Sequence, residues 1–163
     1  MTPSDFIIRE IKQQDNPQIA QVIRNVLIEF GAPKVGTAYE DKATDEMFET
    51  YQNKNAAYFV IEHQKQVIGG VGFAKLDGLE DSVCELQKMY FLPIARGKGL
   101  GSKLINSCLK KAKAQGFKQC YLETMPYMDA ARALYKKNGF LSLDKPMGNT
   151  GHYSCNIWML KNL

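Results

Sequence analysis

A glycine-rich segment with three cations leads into a helical pattern of apolar residues near the middle of the 163-residue chain. The segment is RGKGLGSKLI, Arg96 to Ile105. The first backbone N–H groups of a helix have no partner inside the helix, and the helix dipole favours an anion there. Glycine lets backbone approach such an anion closely, because it carries no Cβ. The segment therefore predicts a phosphate-binding helix start.

The glycine spacing distinguishes between kinds of phosphate site. A Walker A loop requires G-x-x-x-x-G-K-[ST], and the lysine that follows the glycines here comes after a serine. A dinucleotide fingerprint requires G-x-G-x-x-G, and its third glycine falls on Ser102 or Leu104 in the two alignments. Both kinds of site are excluded. The pattern that fits is R-x-x-G-x-G, formed by Arg96, Gly99 and Gly101.

The strand predicted before this loop, SVCELQKMYFL, changes the phase of its apolar residues. Cys84 and Leu86 fall on even positions, whereas Met89 and Phe91 fall on odd positions. A β-bulge near positions 87–88 explains the change, because one extra residue reverses which side chains face the core. A strand buried on both faces explains it equally well. With a bulge, the sheet opens beside the phosphate loop and leaves backbone groups unpaired for a ligand.

Strand and helix patterns alternate along the chain. The first half contains the strand DFIIREI, a one-faced helix ending at Gly31, a short helix from Thr44 as N-cap to about Tyr51, and two strands joined at Gln64 and Lys65. After the glycine loop come a helix, a strand, a second helix and two strands. These patterns predict one domain over residues 1–163 of class α/β (α+β mixed sheet), with about seven strands flanked by about four helices.

Composition and charge limit the kinds of binding partner and the cellular compartment that the sequence favours. The net charge of +4 comes from lysines spread along the chain, which disfavours nucleic acid as a partner. The four cysteines form no CxxC pair and predict reduced thiols in a cytoplasmic protein. A run of about eighteen apolar residues is absent, and so is a signal-like N-terminus, which disfavours the membrane and secretion. His63 and His152 are the only histidines, and neither stands at a ligand spacing, so no metal is expected.

Two segments carry a resemblance to a known family. ELQKMYFLPIARGKGLGSKLI resembles the acetyl-coenzyme A signature of the GNAT superfamily of N-acetyltransferases, where a bulged strand, a Pro-containing turn and [QR]-x-x-G-x-[GA] hold the cofactor. ARALYKKNGF, Ala131 to Phe140, resembles the family helix that ends in A-x-x-L-Y-x-x-x-G-F. The element order agrees over essentially the whole chain. Met128 departs from the family, in which many members have an asparagine seven residues before the tyrosine.

The resemblance implies acetyl-CoA as co-substrate and assigns residues to it. The amides of Met89 and Phe91 would bond the pantetheine arm, and the Met89 N–H would polarise the acetyl carbonyl. The N–H groups from Gly97 through Ser102 would wrap the diphosphate. The implied cofactor-binding set is Met89, Tyr90, Phe91, Arg96, Gly97, Lys98, Gly99, Leu100, Gly101 and Ser102. A solvated surface role is the alternative for Lys98.

Two residues are candidates for proton transfer. Tyr135 matches the family position that protonates the leaving thiolate, with ordinary helix packing as the alternative. Glu85 lies eleven residues before Arg96, as does the catalytic glutamate of the histone acetyltransferase branch. A carboxylate in an apolar strand needs a reason, and a structural salt bridge or an acceptor-binding role explains Glu85 almost as well. An α-amine acceptor, with a pKa of about 7.8, needs less base than a lysine of about 10.4.

The resemblance places the acceptor between the loops GAPKVGTAYEDKA and KPMGNTGHYS. Candidate wall residues are Tyr39, Glu40, His152 and Tyr153, with a plain surface role as the alternative for His152. The carboxylates of Glu40, Asp41, Asp45 and Glu46 would suit a cationic acceptor such as a polyamine, an amino acid amine or a peptide terminus.

The predicted function is transfer of the acetyl group of acetyl-CoA to a primary amine of a small molecule or protein, by direct attack in a ternary complex. The alternatives are a catalytically silent CoA-binding or interaction module with the same fold, and a nucleic-acid-binding domain, which would bind polyanions with steep salt dependence. Homodimers are common among proteins with such a fold, and a homodimer is the assembly considered for this chain.

Overall fold

The central element is one mixed sheet. A computed structural model of the protein describes residues 5–78, 82–126 and 128–163; the first four residues, part of the N-terminal segment considered above, lie outside these ranges. Seven strands occur there in the order β1-β2-β3-β4-β5-β7-β6. They are β1 (Phe6–Glu10), β2 (Ala57–His63), β3 (Gln66–Lys75), β4 (Val83–Phe91), β5 (Gln119–Thr124), β6 (Leu141–Leu143) and β7 (Ile157–Asn162). The β4–β5 pair is parallel, and the other pairs are antiparallel.

Four α-helices in the described ranges flank the sheet: α1 (Asn16–Glu29), α2 (Met47–Thr50), α3 (Leu100–Ala114) and α4 (Asp129–Lys137). Short 3₁₀ turns lie at Gln13–Asp15, Lys42–Asp45 and Pro93–Ala95. The apolar stripes of α1 and α2 pack with Tyr58 and Val60 on one face of the sheet. The stripe of α3 packs with Val71 and Phe73 on the other face, where Tyr135 of α4 is also buried. The predicted fold class is confirmed.

One local prediction was wrong. Thr44 does not cap a helix: it lies inside the 3₁₀ turn Lys42–Asp45, and α2 begins only at Met47. The Thr44 hydroxyl is buried and donates a hydrogen bond to the Ala38 carbonyl at 2.6 Å. Threonine forms such side chain to backbone bonds in turns as readily as at helix starts, so the residue type alone does not separate the two roles.

The predicted β-bulge is present in β4. Gly70 pairs with Tyr90 and Gly72 pairs with Gln87, so Val71 alone lies opposite two residues, Lys88 and Met89. Lys88 has a left-handed φ of 51°. The alternative also holds for part of the strand, because Val83 through Leu86 are buried whichever face they point to. The first part of β4 is thus buried on both faces, and the bulge follows it in the same strand.

The sheet divides just beyond this point. The parallel pairing of β4 with β5 covers three residues of β4, Val83, Cys84 and Glu85, and then ends. From there β5 continues to Thr124 beside β7, while β4 follows β3 to Phe91. The two strands therefore separate, and the edge of β4 that follows Glu85 is left without a strand partner in the described part of the chain.

Candidate active site

A cleft of about 440 Å³ opens where β4 has left β5. Its walls come from the end of β4, the loop before α3, the first turn of α3 and one side of α4, together with Val26 of α1 and Phe30 directly after α1. Nine of the ten predicted cofactor-binding residues line it: Met89, Tyr90, Phe91, Arg96, Gly97, Gly99, Leu100, Gly101 and Ser102. Lys98 is the exception. The structure therefore brings the predicted set together, although its role in binding stays a prediction.

The loop before α3 presents its backbone to this cleft. Gly97 and Gly99 have left-handed φ values of 72° and 76°, a conformation that side chains with a Cβ rarely adopt. A Cβ at either position would have no neighbour within 4 Å, so the glycines leave open space above the backbone. Among the described residues, none of the amides from Gly97 through Ser102 donates a hydrogen bond to a protein group. Unpaired amides at a helix start are a built anion site.

Gly101 serves a different purpose from the two loop glycines. A Cβ there would lie 2.5 Å from Cδ2 of Leu134 in α4 and 3.3 Å from Cε2 of Phe91. The missing side chain therefore lets α3, α4 and the end of β4 pack closely, and this packing closes the floor of the cleft.

The two cations predicted beside the phosphates are both engaged elsewhere. Arg96 forms a two-point ion pair with Glu29 at 2.7 and 2.9 Å, and Nη2 also donates to the Phe91 carbonyl at 2.7 Å. Arg96 thus ties the loop to α1 and to the end of β4. Lys98 donates to the Ile94 carbonyl at 2.7 Å and lies over the Phe6 ring, which supports its alternative surface role. The sequence analysis missed Lys137, a cation at the end of α4 that lines the cleft one turn beyond Leu134.

Tyr135 lies beside the cleft rather than in its wall. It is buried on the α3 face of the sheet, with its ring 6.1 Å from Phe140. Its hydroxyl makes no hydrogen bond to any group in the described ranges, and burial raises the pKa of the phenol, which keeps it protonated at neutral pH. Its neighbour Leu134 lines the cleft directly.

Glu85 lies on the opposite face of the sheet. It is 6% exposed, and it pairs across the strands with Ala74, which packs on the α1 side. Burial and, to a smaller extent, the charge of Glu123 raise the pKa of its carboxyl to about 7, even though a hydrogen bond from Gln87 and the charges of His152 and Lys88 lower it. Glu85 therefore exchanges a proton near neutral pH.

Glu85 belongs to a hydrogen-bonded network that sequence analysis did not anticipate. Nε2 of Gln87 donates to Oε1 of Glu85 at 2.5 Å, and the Tyr51 hydroxyl donates to Oε1 of Gln87 at 2.6 Å. The Tyr58 hydroxyl donates to the Lys88 carbonyl in the bulge at 2.7 Å. The only signal in the sequence was the alternation of Glu85 and Gln87, which puts both side chains on one strand face.

The two predicted acceptor loops do meet beside this network. Nε2 of His152 lies 2.7 Å from Oδ2 of Asp41, and the Lys88 ammonium lies 3.4 Å from the same oxygen. The hydrogen bond with Asp41 raises the pKa of His152. Burial alone would raise the pKa of Asp41, but the His152 hydrogen bond and the Lys88 charge outweigh it and lower that pKa. His152 is therefore part of an ion cluster and not a plain surface histidine.

Glu123 is a second carboxylate on this face that the sequence analysis missed. The Tyr121 hydroxyl donates to its Oε2 at 2.6 Å, and the Thr150 hydroxyl donates to Oε1. A signal was present in the sequence, because Glu123 is a carboxylate within an apolar strand pattern, as Glu85 is. The sequence did not show that Glu85 and Glu123 come near each other, because β4 and β5 stop pairing after Glu85.

The other predicted acceptor residues point to different places. Tyr39 lies under Arg24 and Lys34 beside a separate groove along α1. Glu40 accepts a hydrogen bond from the Gly36 amide at 2.7 Å, and Tyr153 is 74% exposed beside Gly36. Asp45 forms an ion pair with Arg24. Of the four predicted wall residues, His152 is thus the one that reaches the Glu85 network within the described part of the chain.

Three further observations concern the described residues. All four cysteines are free thiols. No group of three or more His, Cys, Asp or Glu side chains in these ranges is placed to hold a metal ion. A helix with the length and apolar character needed to cross a membrane is also not found in them.

The sequence profile of the Acetyltransferase (GNAT) family matches residues 23–140. The chain therefore belongs to that family, and it is an acyltransferase. It is 44% identical to the "uncharacterized N-acetyltransferase YjgM" of Escherichia coli K12, over 100% of this chain and 98% of the relative.

Solved structures share the fold. An acetyltransferase of the GNAT family from Staphylococcus aureus Mu50 superposes with a TM-score of 0.83 at 20% identity, over 96% of this chain and 98% of its own. The PaiA N-acetyltransferase of Thermoplasma acidophilum, solved with coenzyme A, has a TM-score of 0.72 at 19% identity, over 97% and 99% of the two chains. YncA of Salmonella typhimurium, solved with acetyl-CoA, has a TM-score of 0.76 at 19% identity, over 96% and 93%.

Proposed function

We propose that this protein transfers the acetyl group of acetyl-CoA to a primary amine. The observation that carries the proposal is the run of amides from Gly97 through Ser102 that are unpaired among the described residues, which ends an apolar cleft between the end of β4 and α4. A diphosphate joined to a long, mostly uncharged arm matches this combination of an anion site and an apolar channel.

The residues present fit acetyl-CoA. The amides of the loop before α3 hold the diphosphate, with the Lys137 ammonium as an added charge. The amides of Met89 and Phe91 would bind the pantetheine arm by strand-like hydrogen bonds, because the pairing of β4 with β5 ends at Glu85, whereas the Phe91 carbonyl already accepts from Arg96. Bound there, acetyl-CoA supplies an acetyl group activated as a thioester.

Glu85 acts as the proton acceptor for the incoming amine. An amine must be neutral to attack, and a carboxylate whose pKa lies at about 7 is ionised often enough at neutral pH to take its proton. The half-buried ion cluster of Asp41, Lys88 and His152 forms the neighbouring wall, where it orders the two acceptor loops. The acceptor therefore approaches from the α1 face of the sheet.

Tyr135 acts as the proton donor on the other face. A phenol is protonated at neutral pH and can donate its proton to a thiolate, and the position of Tyr135 beside Leu134 puts it next to the cleft wall. The proposal requires that the gap where β4 and β5 stop pairing joins the two faces, so that a base on one side and an acid on the other serve one reaction.

The test is release of free thiol from acetyl-CoA in the presence of a panel of polyamines, amino acid amides and peptides. We expect amine-dependent thiol release by the wild type and a loss of about 100-fold in Glu85→Gln, as for removal of a general base. Cofactor affinity, measured by calorimetry, serves as the control and should not change in this variant. Tight coenzyme A binding without thiol release for any amine would instead indicate a silent binding module.

A further inference from the structure

The chain of hydrogen bonds from Tyr51 through Gln87 to Glu85 has a defined direction. Tyr51 is fully buried in the α1-side core, and its hydroxyl donates to the Gln87 side-chain oxygen. The amide nitrogen must then be the end that faces Glu85, and it donates to Oε1 at 2.5 Å. A reversed amide would place an oxygen against the ionised carboxylate, which is unfavourable.

Among the described residues, this direction leaves Glu85 with one oxygen that accepts a hydrogen bond and one that accepts none. Oε1 accepts from Gln87, whereas Oε2 accepts no hydrogen bond from any group in the described ranges. A carboxylate tied at one oxygen cannot rotate freely, so its second oxygen keeps a fixed direction. Such an arrangement is suited to receiving a proton from a molecule that enters from outside.

Other charged and titratable groups also face Glu85, from every element around it. They are Lys88 on its own strand, Tyr121 and Glu123 on β5, Tyr51 directly after α2, and His152 and Cys155 in the last loop. Gln87 is the one of its neighbours that donates a hydrogen bond to the Glu85 carboxylate within the described residues. It therefore has the most direct control over which oxygen remains free.

We infer that Gln87 is the positioning residue for the Glu85 carboxylate, and that the Tyr51 hydroxyl fixes the orientation of the Gln87 amide. The inference rests on the proposed role of Glu85 as base. Gln87 stabilises the ionised form of Glu85 and aims its free oxygen at the acceptor. Tyr51 acts only through Gln87.

The direct readout is the pKa of Glu85, measured by carboxyl ¹³C NMR without acetyl-CoA or an amine. The Glu85 signal is the one that disappears in Glu85→Gln. Gln87→Met keeps the side-chain length but removes the amide, and should raise the pKa of Glu85 by about one unit, because a hydrogen bond to the ionised form is lost. Tyr51→Phe should raise it less, and should have no further effect in the Gln87→Met background.

Tyr58→Phe is the matched control for the NMR experiment. It removes another buried hydroxyl, which donates to the Lys88 carbonyl and not to Gln87. The Glu85 pKa should stay at its wild-type value. A shift as large as that in Tyr51→Phe would mean that any loosening of this core moves Glu85, and would overturn the role given to Tyr51.

The second readout is the pH dependence of kcat/KM with one fixed amine. In Gln87→Met the acidic limb should move upward with the Glu85 pKa, so that activity falls about five-fold at pH 7 and recovers by about pH 9. A loss that is equal at every pH would indicate a merely structural role and overturn the inference.

The two readouts separate this inference from the proposed function. An unchanged Glu85 pKa in Gln87→Met overturns the inference even if the enzyme acetylates amines. A raised pKa in a protein that acetylates no amine supports the positioning role of Gln87 and counts against the proposed function instead. Should Gln87→Met fail to fold, Tyr51→Phe carries the same NMR test, because it removes a single oxygen.

Discussion

The two sides of the divided sheet are built in different ways. On the cleft side, the residues come mainly from two short stretches of sequence, 89–102 and 128–137, with Val26 and Phe30 added, and the chemistry lies mainly in backbone amides of Gly97 through Ser102. On the acceptor side, Tyr51, Glu85, Glu123 and His152 come from four separate segments, and the chemistry lies in their side chains. The proposed cofactor half of the site is therefore a local property of the sequence, whereas the proposed acceptor half exists only in the folded chain.

The largest effect is expected on the backbone-built side. Gly99→Glu should weaken coenzyme A binding by about 10³-fold, because it strains a left-handed backbone and places a carboxylate against the diphosphate, a repulsion of several kcal/mol. Calorimetry measures the dissociation constant. Gly116→Glu is the matched control: it makes the same change at a left-handed glycine with open surroundings, at the other end of α3. Equal losses in both variants would contradict the placement of the anion site.

This difference between the two sides explains which parts of the fold and of the site could be predicted from the sequence. The glycine loop, the bulge and the helix stripes follow from short-range patterns, because backbone conformation and strand phase are set within a few residues. The partners of Glu85 do not follow from short-range patterns. The Gln87 amide is oriented by Tyr51, which is 36 residues away, and Asp41 contacts His152, which is 111 residues away. The same limit applies to Arg96, whose charge looked available to phosphate but is paired with Glu29.

The side-chain-built half should respond differently. Glu85→Gln is expected to lower kcat by about 100-fold while the affinity for coenzyme A stays unchanged, because it removes the base without touching the cleft lining. Steady-state kinetics beside a binding isotherm measure the two quantities. If coenzyme A affinity and kcat fell together, the cleft side and the Glu85 side would not act separately, which would contradict this account.

The same substitution should change stability with pH. The folded-state pKa of Glu85 is raised from an ordinary 4.5 to about 7, so its ionisation destabilises the fold as pH rises through this window. At pH 8, Glu85→Gln should therefore be more stable than the wild type by up to about 3 kcal/mol, and at pH 4 the two should be similar. Urea unfolding at both pH values measures the difference. A gain that is the same at pH 4 and pH 8 would exclude a buried, ionisable Glu85.

The smallest effect concerns two lysines. Lys137 lines the cleft, whereas Lys98 donates to the Ile94 carbonyl. Lys137→Ala should weaken coenzyme A binding by about three-fold, the size expected for an exposed charge, and Lys98→Ala should have almost no effect. Paired titrations at low and physiological salt check this order. The reverse order would place the phosphates nearer to Lys98 than the cleft allows.

A structure of the protein with bound coenzyme A tests the central claim most directly. That claim is that unpaired main-chain amides at the start of α3, beside the opening between β4 and β5, hold the acyl carrier. We predict that diphosphate oxygens lie within hydrogen-bonding distance, about 2.7–3.2 Å, of amide nitrogens between Gly97 and Ser102. A diphosphate bound at any other surface, with these amides facing solvent, would contradict the account.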